Sequence, residues 1–146
     1  MQGHRRPIHY GGLWMIGYED EPEHSAEICI CEIFGRDVAA EGAMVVGMGL
    51  HPFGDPRISE DFGAERVAIY AREFHVYAVE WTPEHVAFSI DGEHVKRVGQ
   101  SPSYPMQLML SLYEFPEDDA WDRTITGAYP KEFVVDYVRG YRRVPG

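Results

Sequence analysis

Short runs of β-branched and aromatic residues recur between turn signals along this chain, and no stretch carries a capped helical period. Phe74 to Trp81 and His85 to Ile90 are two such runs. Thr82-Pro83-Glu84 reads as the turn between them, because proline fixes φ and donates nothing to a ladder. Val86, Phe88 and Ile90 alternate with smaller or polar residues up to Asp91-Gly92, a type I′ hairpin signal, and Val95 and Val98 carry the return strand. In Met106 to Tyr113, Met106, Leu108, Leu110 and Leu112 share one face, expected in the core. Gln107, Met109, Ser111 and Tyr113 share the other, which suits either sugar or solvent. Phe133 to Arg139, extending towards Tyr141, reads as a strand, as does Glu41 to Leu50, whose Gly47-Met48-Gly49 suits close passage under something bulky. His51 to Glu65 and Glu114 to Pro130, rich in Pro, Gly and Asp, read as long loops. The sum is an all-β sandwich with no internal repeat: a tail over 1–10 and a single domain over 11–146.

Composition narrows the partners. With 146 residues, 45% of them hydrophobic, the chain can bury one real core. Its formal net charge of −11 repels phosphate backbones, anionic lipids and polyanionic polysaccharides, so neither nucleic acid nor membrane is expected, and a neutral ligand is. The basic clusters, Arg5-Arg6 and Arg139 with Arg142-Arg143, lack the aromatic interleaving of a nucleic-acid groove. No run approaches the ~18 apolar residues of a membrane helix, and Met1 to Arg6 has no signal-peptide core. His4 and His9 read as part of a flexible tail rather than a metal pair.

The segment Ala26 to Gly35 holds the chemistry. Ile28 and Ile30 face the core and put Glu27 and Cys29 on the opposite face, whereas strict alternation buries Glu32 beside the isoleucines, where a bare carboxylate is costly. A one-residue bulge near Ile30-Cys31 returns Glu32 to the face of Glu27. The two Cα atoms then stand ~13 Å apart, and side chains leaning together bring the carboxylates to about 5–6 Å, near the spacing of a retaining glycosidase. Cys29 and Cys31, two positions apart on one strand, are too distant for a relaxed disulfide and are expected as free thiols. Alternation plus a bulge does not converge Cys29, Cys31, Glu27 and Glu32 on a soft metal.

These residues resemble glycoside hydrolase family 16, whose Glu-x-Asp-x-(x)-Glu strand is similar to Glu27-Ile28-Cys29-Ile30-Cys31-Glu32. The likeness continues in order through Gly12 to Gly17, Phe74 to Pro83 with Asp91-Gly92, Pro105 to Tyr113, and Val135 to Arg139. It implies a concanavalin A-like jelly roll whose concave face holds a polysaccharide, here short of the family's N-terminal strands, so that open sheet edges favour self-association. It also implies a secreted protein. A retaining mechanism follows by resemblance, with Glu27 as nucleophile and Glu32 as acid/base. Trp14, His51, Trp81 and Tyr113 are then candidates for the sugar wall, with Gln107 and Ser111 beside Tyr113. Trp14 and Trp81 suit the core equally, and His75, beside Tyr77, reads as a hydrogen-bonded structural residue. No catalytic cofactor is implied; a structural calcium is frequent in the family, and Asp136 occupies a position that could join it. Cys29 departs from the family, whose aspartate there orients the nucleophile and, as a negative neighbour, favours proton retention by the acid. The expected function is endo-acting hydrolysis of a neutral β-1,3- or mixed-linked β-glucan. The alternatives are a lectin-like module on the same scaffold and a structural module with no aromatic residues lining a concave face.

Overall fold

A computed structural model describes residues 8–34, 42–115 and 132–144. Within them are eight strands and no helix. They are β1 (Ile8–Gly17), β2 (Glu27–Phe34), β3 (Met44–His51), β4 (Asp61–Val67), β5 (Tyr77–Trp81), β6 (Val86–Ile90), β7 (Glu93–Val98) and β8 (Met106–Phe115). The order β4-β3-β2-β1-β8 forms one antiparallel sheet and β5-β6-β7 a second. The two make the β-sandwich of the jelly-roll class.

The core lies between the sheets, where β5 and β7 pack over β2 and β3. Ile28, Ile30, Val46, Met48 and Leu50 from the large sheet meet Val86, Phe88 and Ile90 from the small one. The hairpin closes at Asp91-Gly92, both at positive φ (51° and 84°), as its dipeptide requires. His75 braces this turn: its Nδ1 lies 2.7 Å from Asp91 Oδ2 and its Nε2 2.9 Å from the Tyr70 carbonyl oxygen.

Several expectations change. Leu108, Leu110 and Leu112 are not core: each is 42–43% exposed, because β8 lies at the edge of the large sheet, beyond β2 and β3 where the small sheet packs. The stretch expected as a loop from His51 to Glu65 contains most of the Asp61–Val67 strand, which β3 draws into register despite its glycine and acidic residues. Phe133 to Arg139 forms no strand; it finds no ladder partner among the described residues, although the Phe133 ring lies against Gly11. Asp136 is exposed on that segment. The first strand already runs from Ile8. Arg5-Arg6, His4, and 116–130 of the second expected loop lie outside the described residues.

Candidate active site

The face of the large sheet turned away from the small sheet carries the glutamates. Lateral register sets its rows. Gln107, Ile16, Glu27 and His51 stand across β8, β1, β2 and β3. Met109, Trp14, Cys29, Gly49 and Phe62 form the next row, and Ser111, Gly12, Glu32, Gly47 and Ala64 the one after. Tyr113, Tyr10 and Phe34 complete the face.

Glu27 and Glu32 reach one face through a bulge. On β2, Cys29 to Glu32 spans three steps against two on β3, from Gly49 to Gly47; against β1 the extra residue falls between Cys29 and Cys31. The bulge sends both Ile30 and Cys31 into the core and returns Glu32 to the face of Cys29. Glycines on the neighbouring strand make room. A methyl on Gly47 would sit 2.5 Å from the Phe62 ring and 3.1 Å from Glu32 Cβ, and Gly49 holds a φ of +140° against the backbone of Asp61 and Phe62.

Glu27, Cys29, Glu32 and His51 converge, each offering an atom within 4.8 Å of every other. The Cys29 thiol lies 2.7 Å from Glu27 Oε1 and 3.5 Å from Glu32 Oε1; having one proton, it donates along the shorter contact. Burial raises the Glu27 carboxyl above its ordinary range, outweighing the lowering effects of the Cys29 hydrogen bond and of His51; Glu32 adds to the rise. Burial, followed by the Glu27 hydrogen bond and the flanking carboxylates, pushes the Cys29 thiol far above its usual value, so it stays protonated at neutral pH. Both cysteines are free and buried.

Two residues that sequence reasoning passed over belong here. Tyr10, assigned to the tail, donates its hydroxyl to Glu32 Oε1 at 2.8 Å. It packs at a ring-centroid distance of 6.3 Å from Trp14 and 5.8 Å from Tyr113. Its alternation with Gly12 and Trp14 was the available signal. Glu60 lies 2.7 Å from His51 Nδ1, and no local pattern marked it.

Tyr113 is 45% exposed above this aromatic group, whereas Trp14, on the same face, is only 8% exposed and packs beneath it. Gln107 is exposed and Ser111 partly buried along the same edge. Trp81 stands apart from the glutamate face: it ends β5 in the other sheet, on the side of Val79, is 39% exposed, and donates its Nε1–H to the Pro102 carbonyl at 2.9 Å.

Comparison with known proteins gives the chain a family. The model of "Glycosyl hydrolases family 16" matches residues 11–137. A β-glucanase of Acetivibrio thermocellus is 31% identical over 72 residues, 49% of this chain and 22% of that protein. One from Rhodothermus marinus is 30% identical over 95 aligned positions, covering 56% of this chain and 33% of the relative. The chain thus matches a third or less of these relatives' own lengths. Among solved structures, a GlcNAcα1-4Gal-releasing endo-β-galactosidase from Clostridium perfringens superposes with a TM-score of 0.58 at 23% identity, over 73% of this chain and 28% of that one. At that identity the likeness concerns the fold.

Proposed function

Starting from the fact that this chain belongs to glycosyl hydrolases family 16, we propose that it is an endo-acting, retaining glycosidase on a neutral β-glucan, β-1,3- or mixed-linked. The observation that carries the reading is the approach of Glu27 and Glu32 oxygens within 4.8 Å on one sheet face, beside Tyr113. Inverting enzymes need about 6.5–9.5 Å between carboxyls to admit a water, and retaining ones about 5–5.5 Å. The β-glucanase relatives and the net charge of −11 favour a neutral β-glucan.

In this reading a Glu27 oxygen attacks the anomeric carbon while Glu32 gives its proton to the departing glycosidic oxygen. Water then attacks the same carbon, returning a proton to Glu32 and freeing the Glu27 carboxylate. The Cys29 thiol holds the Glu27 carboxylate in place. Tyr10 does the same for Glu32 and, when Glu32 carries the proton, its oxygen can accept instead of donating. The ring of Tyr113 offers a platform for the apolar face of a pyranose.

Cys29 favours a second reading. A neutral thiol between the glutamates supplies none of the negative charge of the family's aspartate, which suits a lectin-like module that binds β-glucan without cutting it. A reducing-sugar assay across a panel of β-glucans and galactans, with Glu27→Gln as control, separates the two. Hydrolysis of a β-glucan that is lost in Glu27→Gln supports the enzyme; saturable binding with equal background in both proteins supports the module. Neither cleavage nor binding of any glycan would reject both.

A further inference from the structure

We infer that Glu27, Cys29, Glu32 and His51 form a site for a divalent first-row transition ion of the zinc type. The ion would occupy the space between the two glutamates. A bound ion would engage the same carboxylates that attack and protonate in the glycosidase reading, so it would block hydrolysis while it stays; its binding is tested without any activity assay.

The donor set is the first argument. One thiol, one imidazole and two carboxylates offer sulfur, nitrogen and oxygen, which suit zinc rather than calcium or magnesium. Calcium and magnesium prefer all-oxygen shells. Around a tetrahedral zinc, ligand atoms stand ~3.3–3.6 Å apart. The four side chains already bring their donors within 4.8 Å of one another, so small side-chain rotations close the shell. In the metal-free site the thiol is protonated and donates to Glu27, so an ion would displace that proton and then be held by two carboxylates and a thiolate.

The second argument is the orientation of His51. Its Nδ1 lies 2.7 Å from Glu60 Oε1, and its ring stacks on Phe62 with centroids 4.6 Å apart and planes 25° apart. A carboxylate accepts, so Nδ1–H donates to Glu60, and in a neutral ring Nε2 is the nitrogen left to ligate. A histidine held by a carboxylate on one nitrogen and stacked on its flat side is the usual support of a metal-bound imidazole. Gly49 lies opposite Cys29 and Gly47 opposite Glu32, so β3 puts no side chain of its own between the donors; the Phe62 ring packs over Gly47 and Cys29 is wholly buried, so the site is enclosed. The soft set considered from sequence used Cys31, which the bulge turns into the core; His51 on β3 takes that place.

The test is titration of the metal-free protein with Zn²⁺ by calorimetry and with Co²⁺ by absorption. Saturable one-to-one binding is expected, with a thiolate-to-cobalt charge-transfer band and the intense visible bands of tetrahedral cobalt. Cys29→Ala should abolish the charge-transfer band, and Glu60→Gln should weaken Zn²⁺ binding about 10–100-fold without removing the band. Circular dichroism melts establish that each variant is folded. Should Cys29→Ala fail to fold, His51→Ala serves in its place, with a loss of tetrahedral cobalt bands as the expected result. Absence of saturable binding, a cobalt spectrum without the thiolate band, or unchanged binding in a folded Cys29→Ala or His51→Ala protein would each overturn the site.

Discussion

Two polar clusters in this sandwich are built on opposite principles. Asp55 is buried, yet its carboxylate accepts the Arg57 backbone N–H at 2.9 Å, the Arg57 Nε–H at 3.1 Å and the Tyr104 hydroxyl at 2.9 Å. Tyr104 in turn accepts the Ala26 N–H at 2.8 Å, tying the start of β2 to the loop after β3. Burial opposes ionisation of Asp55, but the arginine and tyrosine donors outweigh it, and its carboxyl is held below the ordinary range. Around Glu27 the balance is reversed. Glu27 has one weak thiol donor while Glu32 takes the Tyr10 hydroxyl, and burial wins, raising Glu27. The first cluster is satisfied and braces a loop. The second concentrates charge that the fold does not neutralise, as a site that must react with a ligand does.

The sharpest way to break this comparison is Glu27→Gln. Activity should fall by about a thousandfold or more, because the attacking oxygen is lost. The fold, however, should gain stability at neutral pH. A carboxyl raised above its unfolded value, ~4.3, adds stability that is complete below that value. That stability is lost as pH rises through the folded value, and glutamine does not titrate. Urea unfolding near pH 7 checks the sign, and a less stable Glu27→Gln protein would place Glu27 with Asp55 among the bracing residues.

Asp55→Ala should do the opposite, costing about 3 kcal/mol by leaving Tyr104 and Arg57 without their acceptor. Binding of β-glucan should survive in whatever fraction stays folded. Because Asp55 is depressed, its contribution is present above its unfolded value, ~3.9, and disappears as pH falls through the folded one. The stability difference between wild type and Asp55→Ala should therefore shrink in acid, measured as the change in urea midpoint from neutral pH down to about pH 3.

Tyr113→Ala tests the rim of the charged cluster. Oligosaccharide binding should weaken by roughly 1–3 kcal/mol, by analogy with other aromatic platforms, while the melting temperature changes little, since the ring is nearly half exposed. Unchanged affinity by calorimetry would leave Tyr113 a packing residue against Tyr10 and Trp14.

The smallest effect is expected from Cys29→Asp. A second negative neighbour should move the alkaline limb of the pH–rate profile, set by Glu32 as the acid, upward and raise the rate by about tenfold at most. A folded, glycan-binding Cys29→Asp protein with an unmoved alkaline limb would mean that charge at this position does not tune the pair.

Local alternation was legible without the fold. The Asp91-Gly92 hairpin, the core face of Ile28 and Ile30, the need for a bulge before Glu32, and the close passage of Gly47-Met48-Gly49 all follow from a two-residue period and the cost of burying a carboxylate. Each depends on residues within a few positions of one another. What the chain could not disclose depends on which strand lies beside which. Tyr10 reaches Glu32 because β1 pairs with β2, and His51 joins Glu27 because β3 pairs on the other side. Trp81 stands away from the glutamates because β5 belongs to the other sheet, and Leu108, Leu110 and Leu112 stay half-exposed because β8 lies beyond the described strands of the small sheet. Phe133 to Arg139 has strand composition and no ladder among the described residues, since a strand exists only through a partner. The sequence by itself determined the period of the strands that carry alternating apolar residues, and with it the face of their side chains; Asp61–Val67, read mostly as loop, had no such period. Lateral register, which joins residues dozens of positions apart, was decided only when the sheets formed.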